Sequence, residues 1–125
     1  MFRYFFEYFI VFLHGHECST TLTVCSFCFS EHVPSKAGLN MLTQCAALEL
    51  APHVNVNALA LGYVESPIVR ELYTVEQLQA IVDGTPLARM SDYAEVSRFV
   101  QFLASAEAAF MTGQTIIFDG GRVMR

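Results

Sequence analysis

Val54-Asn55-Val56-Asn57-Ala58-Leu59-Ala60-Leu61, bounded by Pro52 and Gly62, is a short, largely apolar run. Such a run is expected of a strand buried in a sheet, hence parallel and central. Its flanks supply the helices that such a sheet needs. Upstream, Ser35 can cap a helix that runs through about Leu50, with Met41, Leu42, Cys45 and Leu48 on one stripe, and Ala51-Pro52 ends it. Downstream, Thr74 and Gln77 form a capping-box pair ahead of a short helix stopped by Gly84 and Pro86. Ser91 or Asp92 begins another, with Val96, Phe99, Val100 and Leu103 on one face. Thr115-Ile116-Ile117-Phe118 reads as a strand, and Asp119-Gly120-Gly121 turns the chain out of it. Helix, strand, helix, helix, strand is the later part of an α/β wound sheet.

Composition narrows the function classes. The 125 residues are one domain, or part of a larger one, and their 54% hydrophobic and 15% charged content disfavours disorder and suggests extra buried surface. The net charge of -5, without a basic run, argues against phosphate-backbone binding, so no nucleic acid partner is expected. In the opening MFRYFFEYFIVFLHGHE, Arg3 and Glu7 leave only Tyr8 to Leu13 uninterrupted, far short of the roughly 20 apolar residues of a spanning helix. No signal peptide or membrane anchor is expected. Four cysteines, at 18, 25, 28 and 45, lack the density of a secreted scaffold, which points to reduced thiols and a cytoplasmic location.

The two ends of the chain differ. Nine of the sixteen aromatics and three of the four cysteines precede residue 30, so residues 1–30 are read as an atypical segment and 31–125 as the wound-sheet part. Thr20 to Phe29 is rich in β-branched and aromatic residues and reads as one strand, whereas the first dozen residues could be helix or strand. Cys25-x-x-Cys28 with His32, and Cys18, His14 and His16 before it, offers enough ligands for a four-coordinate zinc. The remaining spacing matches no finger, and an alternating strand would point Cys25 and Cys28 to opposite faces. No metal is expected, and buried or unpaired cysteines are the preferred reading.

The run Ser35-Lys36-Ala37-Gly38-Leu39-Asn40-Met41-Leu42, then Leu48-Glu49-Leu50-Ala51-Pro52, Val54 to Ala58, Gly62 and Ser66, and last Thr112-Gly113-Gln114 with Asp119-Gly120-Gly121, resembles the short-chain dehydrogenase/reductase family. The resemblance covers about residues 35–121. It implies a Rossmann-like three-layer α/β/α fold with a parallel sheet, and an oxidoreductase that moves hydride between an alcohol/carbonyl pair and NAD or NADP. It also implies a tyrosine four residues before a lysine, a serine further upstream, and oligomer interfaces built on the helix after the lysine and on the closing helix and strand, with another copy or a similar partner chain.

Carried onto this sequence, the lysine is Lys36 and the tyrosine position holds His32. Residues four apart on a helix share a face, so the two could address one ligand, although Pro34 biases Val33 away from helical geometry. A cation draws a phenol's pKa down from about 10 towards neutrality. Beside an imidazole of pKa about 6.5, the same cation disfavours the charged form. His32 is then a base for the oxidation direction only, or simply a partly exposed residue before a helix. Ser19 is the matching serine by count, or an ordinary loop or strand residue. The glycine-rich turn of the dinucleotide fingerprint occurs nowhere, so the N-terminal dinucleotide-binding half is lacking.

What remains is the nicotinamide side. Leu61-Gly62-Tyr63-Val64-Glu65-Ser66 matches the family loop whose backbone and hydroxyl meet the carboxamide, with Leu61 for its proline and Ser66 for its threonine. Gly62, Val64 and Ser66, with Lys36, are the expected cofactor contacts, or else only a strand-to-loop turn. The stretch from about Pro67 to Val82 resembles the family's substrate lid. Two function classes stay open: an impaired oxidoreductase, and an inactive, truncated or aberrantly spliced chain acting through oligomer or partner contacts, with Met41, Cys45 and Leu48 as an apolar surface needing cover.

Overall fold

A computed structural model describes residues 7–14 and 32–124. Its described sheet has three parallel strands in the order β1-β2-β3: β1 Glu7–His14, β2 Val54–Leu61 and β3 Thr115–Phe118. β2 is central, as expected. The register runs from Glu7 opposite Val54 to His14 opposite Leu61, and from Ala58 opposite Thr115 to Leu61 opposite Phe118. Part of the ambiguous N-terminal stretch is therefore a strand. The strand expected over Thr20 to Phe29 lies outside the described residues, as do Cys18, Cys25 and Cys28.

β2 is buried on both faces because each face is covered by a different helix. Ala58 and Ala60 meet Leu39 of α1, His32–Leu50. Leu59 and Leu61 meet Val96, Phe99 and Val100 of α4, Tyr93–Leu103. Ile116 and Phe118 of β3 extend this second face, and the Phe99 and Phe118 rings lie 5.3 Å apart. The result is three layers, α/β/α. The strand order advances one way while the covering helix changes face, so the two crossovers have opposite hands. Such connections are right-handed in most sheets, so one of the two departs from the usual hand.

α1 starts three residues earlier than Ser35. Pro34 falls in the first turn, where a missing N–H costs nothing, so it does not displace Val33 from the helix. The helix also turns a different side inward than its largest residues suggest. Thr43 and Ala47 are buried, whereas Met41, Leu42, Cys45 and Leu48 face solvent. The Thr43 hydroxyl is satisfied by donating to the Leu39 carbonyl at 2.9 Å. Three helices, not two, follow β2, since α2, Pro67–Leu72, precedes α3, Val75–Asp83. The Thr74/Gln77 capping box and the Gly84 C-cap are as expected, and Asp92, with Glu95, caps α4.

Polar side chains inside β2 fasten the segment that enters β3. Asn57, only 3% exposed, donates to the Met111 carbonyl at 2.7 Å and accepts from the Gln114 N–H at 3.1 Å. Asn55 donates to the Ala109 carbonyl, and the Thr112 hydroxyl accepts from the Val56 N–H. A buried amide is stable only when so paired, which fixes where β3 begins.

Candidate functional site

Ligands of wound sheets sit outside the carboxyl ends of the strands, and Leu61–Ser66 leaves that end of β2. The loop is held from two sides. Gly62 donates to the Phe118 carbonyl at 3.0 Å, and a Cβ at Gly62 would lie 2.8 Å from the Asp119 Cα, so only glycine admits this approach. On the other side Val64 bridges Ser91; Ser91 donates to the Tyr63 carbonyl and Glu65 to the Ser91 carbonyl. Ser66 is the N-cap of α2, its hydroxyl accepting from the Val69 N–H at 3.1 Å while keeping its own hydrogen to donate.

The loop lines a cleft of about 320 Å³ with α2 and α4. Gly62, Val64 and Ser66 gather along it, facing Ile68, Leu72 and Tyr93. Lys36 is not among its lining residues. It lies on α1, across the sheet, one turn ahead of Leu39 and so near the carboxyl end of β2, half-buried and without a hydrogen-bond or ion-pair partner among the described residues. His32 opens α1 four residues before it, with its side chain outside what the structure describes; Ser19 lies wholly outside. The structure thus brings three of the expected residues together along the cleft, with Lys36 on the other face of the sheet and Ser19 and the His32 side chain outside the described residues.

Tyr63 was not singled out by the sequence, yet it stands between two cavities. It lines the small cleft and a larger one of about 670 Å³, bounded by Thr85 to Leu87, Ile117 to Gly121 and Val123. The polar groups of the larger cleft are spent internally. Thr85 donates to the Ile81 carbonyl, Ser91 to the Tyr63 carbonyl, and the Asp119 carboxylate accepts from the Gly121 and Val123 N–H groups. Arg89 and Glu95 pair through two hydrogen bonds of 2.6 and 2.7 Å, which, with the Asp92 N–H, hold the Glu95 carboxyl at a pKa of about 2.

The family model described as Enoyl-(Acyl carrier protein) reductase matches residues 28–122. The chain belongs to the short-chain dehydrogenase/reductase family. Among its curated relatives are a short-chain dehydrogenase/reductase of Armillaria gallica, 41% identical over 102 residues, and the 3-oxoacyl-(acyl-carrier-protein) reductase FabG of Pseudomonas aeruginosa, 34% identical over 96. Each match takes in 76% of this chain but only 39% and 38% of the relative, so the chain spans less than half of their length. A solved short-chain type dehydrogenase/reductase from Mycobacterium marinum superposes with a TM-score of 0.76 and 30% identity, covering 97% of this chain and 46% of that one. The family's parallel α/β architecture is therefore the fold of this chain. Among the described residues, no helix is long and apolar enough to cross a membrane.

Proposed function

We propose that this chain carries the nicotinamide side of an NAD- or NADP-dependent oxidoreductase that interconverts an alcohol and a carbonyl on a small molecule. The observation that supports this is the gathering of Gly62, Val64 and Ser66 along one cleft at the carboxyl end of a central parallel strand. The residues suit a single ring with a carboxamide: an apolar wall from Val64, Ile68 and Leu72, a backbone without a Cβ at Gly62, and a hydroxyl at Ser66 with a hydrogen left to donate. A bound nicotinamide would supply the hydride chemistry; the chain would orient the ring and keep water from one side of it.

In this reading Lys36 meets the cofactor and His32 takes a proton in the oxidation direction, with Ser19 as the upstream hydroxyl. Activity is feeble, because a neutral imidazole stands where a phenol would donate and because residues 1–30 carry no glycine-rich turn. A cytoplasmic setting goes with four cysteines too sparse for a secreted disulfide scaffold. A second reading, an inactive chain working through contacts with its own copies or a related chain, is favoured by the exposed side of α1.

Titration of the 125-residue chain with reduced nicotinamide mononucleotide, NADH and NADPH, read by nicotinamide fluorescence and melting temperature, tests the proposal. All three should bind with similar affinity, since these 125 residues contain no glycine-rich dinucleotide turn, and His32→Tyr should raise carbonyl reduction at least about tenfold, on the order of what a working general acid supplies. No binding of the mononucleotide at millimolar concentration would sink the cofactor reading and leave the contact reading standing.

A further inference from the structure

The last turn of the chain reaches back to the loop and to the helices that form the small cleft. Asp119 holds that turn, its two carboxylate oxygens accepting from the Gly121 and Val123 N–H groups at 2.8 Å each. Arg122 is thereby presented inward. Its guanidinium carbon lies 5.0 Å from the centroid of the Tyr63 ring, and Nη1 donates to the Ile81 carbonyl in the last turn of α3 at 3.1 Å. The Tyr63 ring in turn meets Tyr73, the C-cap of α2, edge-on at 6.2 Å. One planar cation thus joins three segments far apart in sequence. The guanidinium passes close over Gly84, where a Cβ would sit 2.8 Å from Nη1 and push it aside.

We infer that Arg122 is a positioning residue: it ties the α2–α3 segment to the loop Leu61–Ser66 and so sets the Tyr63 wall between the small cleft and the larger one. The guanidinium suits the task because its flat face can lie on a ring while its edge donates to a carbonyl. Without it, the Tyr63 ring loses the Arg122 cation from its face, and α3 loses the Arg122 hydrogen bond from the C-terminal turn. That the cleft receives a nicotinamide rests on the function proposed above; the tie itself does not.

Amide hydrogen exchange on the full chain separates the two. Arg122→Ala should speed exchange across 61–66 and 75–84 about tenfold relative to the β2 core, as expected where one hydrogen bond and one cation–π interaction are removed locally. Gly84→Ala should do the same with Arg122 still present, and the double variant should be no faster than either single one. The tie is overturned if both segments keep wild-type exchange in Arg122→Ala. It is also overturned if Gly84→Ala loosens α3 equally in the Arg122→Ala background, because the added methyl, 3.1 Å from the Ala80 carbonyl, would then act without the arginine. If wild type binds reduced nicotinamide mononucleotide, Arg122→Ala should weaken it by a similar factor. If wild type binds none, the cofactor reading fails while the exchange comparison still decides the role of Arg122.

Discussion

Gly62 shows how a single missing side chain can place a site. The ends of β2 and β3 converge until the Asp119 backbone occupies the space a Cβ would need, with approaches of 2.8 Å to the Asp119 Cα and 3.3 Å to its carbonyl oxygen. Backbone cannot rotate away as a flexible side chain can, and β3 is pinned by the pairing of Leu61 with Phe118. Gly62→Ala should therefore cost about 1–3 kcal/mol, as overpacking usually does. Gly38, inside α1 with nothing among the described residues within 4 Å of its notional Cβ, is the contrast: Gly38→Ala should stabilise by roughly 0.5–1 kcal/mol through helix propensity alone. Urea unfolding of the two variants checks both signs. Equal effects would mean that the strand ends are looser than the pairing implies.

At the scale of elements, α3 and α4 have the same cap geometry but different electrostatics. The α3 box uses a hydroxyl and an amide, whereas in α4 Asp92 and Glu95 close the box and Arg89 takes both Glu95 oxygens. Hydrogen bonds from Arg89 first, and from the Asp92 N–H second, depress the Glu95 pKa to about 2 from an ordinary 4.5. A depressed pKa means stability that is fully present above about 4.5 and drains away as pH falls towards 2. Glu95→Gln keeps the capping acceptor and removes the charge. Its melting temperature should lie below wild type at pH 7, and the gap should close between pH 4.5 and 2. A gap independent of pH would show that the charge contributes nothing. These caps are legible in the sequence because their signals are local, as are β2 and β3, bracketed by proline, glycine and turn residues. α2 is not, since six residues are too few to show a period, although Ser66-Pro67 is a cap followed by a first-turn proline. The start of α1 lies ahead of the point the sequence suggests because Pro34 reads as a breaker, whereas a first turn tolerates it. Of the candidate site, the loop Leu61–Ser66 is legible through its place after a parallel strand, and Gly62, Val64 and Ser66 within it through the family resemblance. Tyr63, Gly84 and Arg122 are not, because their meeting is a product of packing between segments that no spacing rule connects.

For the molecule as a whole, the decisive feature is what α1 leaves uncovered. Its inward side is built from Leu39, Thr43 and Ala47, small enough for the helix to lie close to Ala58 and Ala60. Its larger residues consequently face out: Met41 and Leu42 are 58% exposed and Leu48 82%. Burying one such side chain is worth about 1.5–3 kcal/mol, so several on one helix are enough to drive association. Lengthening the sheet would not cover them, since they project from the helix side that faces away from it. Sedimentation equilibrium should therefore show concentration-dependent self-association of this chain, and Leu48→Glu should weaken it at least about tenfold, a charge having to be buried at the interface in place of an alkyl group. The same substitution should leave the melting temperature of the dissociated chain nearly unchanged, because Leu48 contributes almost nothing to its own core. Wild type remaining monomeric at high concentration would refute self-association through α1. Undiminished association of Leu48→Glu would move the interface elsewhere, with the outer edge of β3, where Ile117 is 43% exposed, next in line, because a strand edge carries unpaired backbone groups that another chain can pair.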